Sequence, residues 1–314
     1  MTLVTVITPS FNQAGFLEKT ICSVLEQNHP EIEYLVIDGG STDGSVDIIR
    51  KYGPRLAWWT SESDQGQADA IRRGLSRAHG EVIAWLNSDD YYLPGTIADV
   101  VDEFAKRPEV AMLYGDVLAV DENGRPIKLH RYRDVKLQDL LLFQIIGQPA
   151  VFLRRDAIDA TGGPDPAFHL LLDHQLWIRV LLQFRAAHVP RVWAAARYHA
   201  AAKNLARARE FGGEAFRILE WARRDPRLGP ELARVSSQAN SSALRVQARY
   251  LLDAGEPAPA LRSWFRSLLF WPPTALARLN IAGAAMLELL GLGAVRKAVL
   301  RQRQAAITGK LRIT

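Results

Sequence analysis

Four times in its first hundred residues the chain passes from a short, β-prone apolar run into a polar loop and then a helical pattern. The runs are Leu3–Thr8, Glu33–Ile37, Leu56–Thr60 and Val82–Leu86. Short apolar runs bounded by turn-forming residues read as strands, and runs with little alternation read as strands buried on both faces. Strand and helix repeating in this way predict a mostly parallel sheet with helices on both faces. In such open α/β sheets, ligands bind in the crevice at the carboxyl ends of the strands. The polar loops that follow the runs are therefore the places to look for chemistry.

The rhythm then changes. Val110–Val120 is strand-like and leads into the hairpin turn Asp121-Glu122-Asn123-Gly124. A helix is expected from Gln138, a strand at Ala150–Leu153, a loop at Gly162–Asp165 and a helix over Asp173–Gln183. Two short strands, near Val189 and at Ala196–Tyr198, finish the sheet. Beyond Ala200 only helical patterns remain, and the stretch from Ala248 to Pro272 resembles half of a tetratricopeptide unit. One copy forms a helical hairpin and no repeat array. The expected division is a catalytic domain over 1–200 and a basic helical region over 201–314.

Composition bears on setting and partners. The single Cys22 excludes an internal disulfide, and no Cys/His spacing suggests zinc. No secretory leader pattern precedes the first strand, so a cytoplasmic setting is expected. The apolar stretch Ile281–Val295 is interrupted by Glu288 and is too short to span a bilayer. The net charge of +5 hides an asymmetry: residues 200–314 carry +11 and residues 1–199 carry −6. In the basic half, Trp264, Phe265, Leu268, Leu269, Phe270 and Trp271 cluster beside Arg262, Arg266 and Arg278. Arg296, Lys297, Arg301 and Arg303 follow. Such a pattern fits a segment lying in an anionic membrane interface on the inner face of the cell membrane. The alternative is that the apolar residues pack onto the catalytic domain. Nothing points to nucleic acid.

The fourth run ends in Asn87-Ser88-Asp89-Asp90. Clustered carboxylates repel unless a cation or donor-rich ligand sits between them, and Mg²⁺ or Mn²⁺ carrying phosphates is the natural occupant. The plainer alternative is a polar turn that caps the helix beginning near Thr96. The second run ends in Asp38-Gly39-Gly40-Ser41-Thr42-Asp43-Gly44. Asp38 there can accept the N–H of a nucleotide base or merely organise the Gly39-Gly40 turn. Ser41, Thr42 or Asp43 is expected to cap the next helix. The first run ends in Pro9-Ser10-Phe11-Asn12, which is no Gly-rich phosphate cradle, so a Walker A or dinucleotide fingerprint is excluded.

With Thr8–Asn12, Ile37–Ser45 and Leu86–Asp90 in this order, the chain resembles glycosyltransferase family 2. Ser63–Ala70, Gln148–Arg155 and Leu172–Trp177 extend the resemblance, which covers roughly residues 3–200. It implies a GT-A fold and an inverting, metal-dependent enzyme that uses a nucleoside-diphosphate sugar of the UDP, dTDP or GDP type. The acceptor it implies is a glycan or lipid-linked hydroxyl, in cell-surface polysaccharide or glycoconjugate synthesis. Carried over by position, Pro9, Ser10, Asn12, Asp38, Asp64, Gln67, Asn87 and Ser88 would frame the nucleotide sugar. Asp89 would hold Mn²⁺ or Mg²⁺, since Asn87 replaces the first acid of the family's DXD motif. Arg197 and His199, with Tyr198 and Lys203 beside them, would lie over the diphosphate. Asp173 would be the general base, with Trp177 one turn on shaping the acceptor side and His174 a structural neighbour. The competing role for Asp173 is a helix N-cap. Competing functions are a sugar-nucleotide pyrophosphorylase, which needs the missing Gly-rich loop, and a non-catalytic nucleotide-binding or adaptor protein.

Overall fold

A computed structural model describes residues 1–199 and 201–293. The elements run β1 (Val4–Ser10), α1 (Ala14–Leu25), β2 (Ile32–Asp38), α2 (Ser45–Tyr52), β3 (Trp58–Ser61), α3 (Gln67–Leu75) and β4 (Val82–Trp85). Next come β5 (Tyr91–Tyr92), α4 (Thr96–Lys106), β6 (Val110–Asp121), β7 (Pro126–His130), α5 (Leu137–Leu141), β8 (Val151–Arg154), α6 (Arg155–Thr161), α7 (Leu172–Leu181) and β9 (Arg185–Tyr198). Helices follow: α8 (Lys203–Ala206), α9 (Ala208–Arg224), α10 (Leu228–Arg234), α11 (Ser236–Asp253), α12 (Pro257–Phe270), α13 (Pro272–Leu276) and α14 (Leu279–Leu289).

The sheet order is β3-β2-β1-β4-β8-β6-β9-β5, with β7 paired to β6. β1, β2, β3 and β4 are parallel, as the repeating rhythm predicts, and β8 runs antiparallel to both β4 and β6. β1 and β4 are buried along their whole length because helices cover both faces. Alternate residues point to opposite sides. Val4, Val6, Val82 and Ala84 join a core with Leu17, Ile21 and Val24 of α1 and Ile97, Val100 and Phe104 of α4. On the opposite face α3 lies so close that a Cβ at Gly74 would sit 2.6 Å from the Ile7 side chain. At the sheet edge the half-buried Trp58 of β3 is covered by the Arg77 guanidinium, 4.2 Å from its ring centroid.

Three expectations change. The final two strands are one continuous strand, β9, with exposed Pro190 inside it. β5 pairs only at Ala194 and Ala195, so the stretch around Pro190 lacks a β5 partner and Pro's missing N–H costs no bond on that side. The N-cap position of α2 is Gly44 with φ +98°, one residue after the expected caps, and Asp43 accepts the N–H of Ser45 in the first turn from just outside the helix. Finally, two compact units exist, but the division is not a single cut. One unit is Met1–Val120, Leu129–Val135 and Ile146–Arg197. The other gathers Asp121–Lys128, Lys136–Ile145 and the chain from Tyr198 onward.

The helical unit has its own core of Ala248, Leu252, Ala260, Trp264, Ala275, Ile281 and Ala285. Phe211 stacks on Tyr250 at 4.0 Å between centroids, tying α9 to α11. α11 and α12 form the expected hairpin, turned by Gly255 at φ +76°. No helix among the described residues is long and apolar enough to cross a membrane.

Candidate active site

At the ends of β1 and β2 the two loops are stitched together by their own side chains. Asn12, at φ +50°, donates its N–H to Ser41 Oγ (2.7 Å), and its Oδ1 accepts the Thr42 N–H (2.9 Å). Asp43 accepts the N–H of Ser45 with one oxygen and that of Ala14 with the other. The register Ser10↔Asp38 sets the strand ends level.

Asp38 does not have the exposure expected of a base contact. It is fully buried, and its carboxylate accepts from Gly40 N–H (3.1 Å), Ser41 N–H (2.8 Å), Ser41 Oγ (2.6 Å) and Ser61 Oγ (2.7 Å). A carboxylate has about four acceptor positions. Three of the four bonds fall on Oδ2 and one on Oδ1, and they tie the loop to itself and to β3, so the turn-organising alternative describes this residue. Asp64 stands beside it instead. Its Oδ1 accepts the Gly66 N–H at 2.7 Å, and its Oδ2 lies 2.9 Å from where a Cβ on residue 39 would be. Gly39 therefore leaves room for the half-buried Asp64 carboxylate at the strand end. Ser10 is 4% exposed with a buried Oγ that has no hydrogen-bond partner among the described residues, and Pro9 is buried beside it. Phe11 follows, 58% exposed at the rim.

The turn after β4 is built by a chain of amides. Gln67 Nε2 donates to Asn87 Oδ1 (2.7 Å), Asn87 Nδ2 donates to Gln148 Oε1 (3.1 Å), and Gln148 Nε2 donates to the Trp85 carbonyl (2.8 Å). The chain has a direction, because its last acceptor is a backbone carbonyl that cannot donate. Asn87 thus spends its oxygen on Gln67, and the missing first acid of the motif becomes a strut. Buried Ser88 and Asp90 are held through their carbonyls, which accept from Thr20 Oγ1 of α1 (2.9 and 2.6 Å).

Asp89 and Asp90 part company here. Asp90 is buried, its Oδ1 accepts the Arg197 N–H at 2.9 Å, and Asn87 Nδ2 is 3.4 Å from its Oδ2. Burial first, and the neighbouring Asp89 charge second, push its carboxyl well above the usual aspartate range. Asp89 is half-buried at the crest of the turn. The β5–β9 register pairs Tyr91 with Ala195, so Arg197 falls opposite Asp89. Arg197 Nε donates to the Asp89 carbonyl (3.0 Å), and its guanidinium lies over the rings of Phe16 (4.8 Å) and Tyr91 (5.5 Å). A cation is thereby fixed beside the acidic turn. His199 is buried and belongs to the helical unit, where its carbonyl accepts the Ala202 N–H.

Asp173 is not an N-cap. Leu171 holds that position, and Asp173 sits in the first turn of α7 with Oδ1 accepting the His174 N–H at 2.8 Å. The positive end of the helix favours its ionised form. Trp177 does not line an acceptor side: it is 1% exposed and stacks on Trp85 with centroids 5.2 Å apart. That stack joins the helix bearing Asp173 to the strand that leads into the Asp89 turn. His174 is also buried, as befits a structural neighbour. Arg179 braces the loop before α7, donating to the carbonyls of Thr161 and Gly163 and to Gln175 Oε1. Residue patterns could not single out Thr20, whose partners Ser88 and Asp90 are distant in sequence, and gave no role to Gln148 or Arg179.

Among the described residues no group of three or more His, Cys, Asp and Glu side chains forms a metal cage. The donor set at the β4 turn fits a hard divalent cation only as a one-carboxylate site, with diphosphate oxygens and water taking the other positions.

The family model described as glycosyl transferase family 2 matches residues 5–161. This chain belongs to glycosyltransferase family 2. A relative from Bacillus subtilis, named a putative teichuronic acid biosynthesis glycosyltransferase (TuaG), is 33% identical over 159 residues. That match spans 49% of this chain and 63% of the relative. A PGL/p-HBAD biosynthesis glycosyltransferase of Mycobacterium bovis is 30% identical across 55% of this chain and 68% of its own length. Among solved structures, residues 1–349 of S. aureus TarS in complex with UDP-GlcNAc share the fold at a TM-score of 0.61 and 15% identity. The overlap covers 91% of this chain and 92% of that one. The mannosyltransferase PcManGT of Pyrobaculum calidifontis, in complex with GDP-Man and Mn²⁺, gives 0.58 and 22%, covering 92% and 87%. The family 2 chain described here thus has the GT-A fold followed by a helical region.

Proposed function

We propose that this family 2 protein is an inverting, metal-dependent glycosyltransferase that moves a sugar from a nucleoside diphosphate to an acceptor hydroxyl. The observation that carries the reading is the Trp85–Trp177 stack. It ties α7, with Asp173 in its first turn, to the strand that leads into the Asp89 turn.

The acceptor hydroxyl attacks the anomeric carbon from the face opposite the nucleotide as the bond to the diphosphate oxygen breaks, through an oxocarbenium-like transition state. Asp173 takes the hydroxyl proton as the new bond forms. Negative charge grows on the departing diphosphate, and Arg197, fixed at the Asp89 carbonyl, supplies a cation there. Asp89 would hold Mg²⁺ or Mn²⁺, which supplies further positive charge to the same oxygens. Asp64 replaces Asp38 as the carboxylate offered to the base, with Ser10 and Phe11 at the end of the neighbouring strand β1. Pro9, Asn12 and Asp38 frame this end of the site indirectly, by shaping the loops. Gln67, Asn87 and Ser88 hold the acidic turn.

The acceptor class we infer is a cell-surface polysaccharide or a lipid-linked glycan, in keeping with the names of the Bacillus and Mycobacterium relatives. Thermal-shift screening of UDP, GDP, dTDP and CDP, with and without Mn²⁺, identifies the base, because a ligand that binds only the folded state raises Tm. Asp173→Asn is expected to bind the chosen nucleotide normally and lose transfer by about a hundredfold or more. Full turnover in that variant, or a product with retained anomeric configuration, defeats the mechanism.

A further inference from the structure

Helix α12 is built inside out. Its inner face carries Ala260, Ser263, Trp264 and Ser267, all buried, and its outer face carries Arg262, Phe265, Arg266, Leu269 and Phe270, all exposed. Both sets follow the three- and four-residue spacing of one helical stripe. The hydroxyls are inside because α11 comes close enough for Ser241 Oγ to bond Ser267 Oγ (2.8 Å) and the Ser267 carbonyl (2.9 Å). Trp264 is held by its Nε1 bond to the Ala275 carbonyl (3.0 Å). Of the six apolar residues clustered at 264–271, Trp264 thus turns inward. Leu268 packs partly against the core, and Phe265, Leu269, Phe270 and Trp271 stay outside.

The exposed apolar surface continues along α13 and α14 through Leu276, Leu279, Met286, Leu289 and Leu290. Leu269 is 85% exposed and Leu290 69%. Monomeric soluble proteins seldom leave so many large apolar side chains in water on consecutive helices.

Arginines on the helices before α12 are mostly paired. Arg207, Arg209, Arg224, Arg234 and Arg249 pair with Glu210, Glu256, Glu220, Glu231 and Asp253. Among the described residues, Arg262, Arg266 and Arg278 pair with no carboxylate. Around Arg278 the charges reinforce each other: burial first, then Arg249 and Arg278, hold the Lys128 ammonium below its usual value. Glu288 is the one carboxylate residue from 257 to the chain end at 314, against nine Lys and Arg.

We propose that the outer face of α12, with the exposed faces of α13 and α14, docks onto an anionic lipid bilayer without crossing it. Leucine, methionine and phenylalanine side chains enter the acyl boundary while the unpaired arginines meet headgroup phosphates. Charge opposes the two rival occupants. A second copy on a twofold axis would bring two patches of the same net positive charge together. Residues 294–314 carry six Lys and Arg and no carboxylate, so folding them over the patch adds like charge to like. The inference does not depend on the glycosyltransfer reading, which concerns the other unit.

The test is flotation of the full chain with phosphatidylcholine vesicles, with and without phosphatidylglycerol. We expect about tenfold more protein to float with the anionic vesicles at low salt, and the difference to shrink as salt screens the charges. Arg262→Glu combined with Arg266→Glu should lose the preference for anionic lipid. Leu269→Asp, at a site too exposed to affect folding, should weaken flotation severalfold. Both variants should keep the nucleotide-induced thermal shift of the parent, which separates this proposal from the reading of the active site. Equal flotation with neutral vesicles, or variants that float as well as the parent, overturns it. Concentration-dependent dimerisation without flotation overturns it in favour of a second copy.

Discussion

Two acidic turns, one after β2 and one after β4, look alike in composition and differ in which groups hold them together. After β2, Asp38 is enclosed and accepts four hydrogen bonds, three from the loop and one from Ser61 of β3. After β4, the equivalent work is done by neutral amides, Gln67, Asn87 and Gln148, and by Thr20. Asp89 sits half-buried in that turn, with Arg197 Nε donating to its carbonyl. The contrast teaches that turns of similar composition can be held by a buried carboxylate in one place and by neutral amides and a hydroxyl in another.

The largest effect should come from Asp38→Ala, which strands four buried or half-buried donors at once. We expect a loss of about 3 kcal/mol or more in unfolding free energy, read by urea denaturation. A change under about 0.5 kcal/mol, comparable to an ordinary surface substitution, breaks the comparison from its β2 side. Asp89→Ala should do the reverse: stability stays within about 1 kcal/mol of the parent while transfer falls on the order of a hundredfold. The Mn²⁺-dependent part of the nucleotide thermal shift should vanish with it. Undiminished turnover sinks the assignment of Asp89.

Asn87→Asp sharpens the comparison, because it restores the acid but breaks the amide chain. A carboxylate facing Gln148 Oε1 has no proton to give, and Gln148 cannot turn over without aiming its oxygen at the Trp85 carbonyl. The expected cost is about 1–2 kcal/mol of stability with no tighter Mn²⁺ dependence of transfer. A variant as stable as the parent and activated at lower Mn²⁺ would show that Asn87 is a damaged ligand and no strut.

The smallest effect concerns Asp90. Its folded-state carboxyl titrates above the unfolded one, so the folded protein holds the extra proton between the two values. Stability from this group is full below the ordinary aspartate range and falls as pH rises above it. Asp90→Asn should flatten that fall in a plot of Tm against pH while leaving low-pH stability nearly unchanged. Parallel curves for the two proteins refute the protonated assignment.

What residue order determined here is whatever depends on neighbours along the chain. Apolar runs such as Val82–Leu86 and the helix over Thr96–Lys106 follow from local periodicity, and the parallel sheet follows from their repetition. The motif positions at 8–12, 37–45 and 86–90 all arrive at carboxyl ends of parallel strands, because a βαβ crossover returns each strand in the same direction. Asp173 could be placed near a helix start for the same reason. Only the tertiary structure decided which side chains are already spoken for. Asp38 is used up partly by Ser61, and Asn87 is aimed by Gln148, sixty-one residues away. Trp177 turns under Trp85 rather than toward an acceptor, and Arg197 meets Asp89 only through the β5–β9 register. In α12 the same applies in reverse: close approach of α11 draws serines inward and leaves Phe265 and Leu269 in solvent. Hydrogen-bond capacity is finite and is filled by whichever partner the fold brings near. A pattern of residue types therefore locates a candidate site, and the packing of distant segments assigns its members their work.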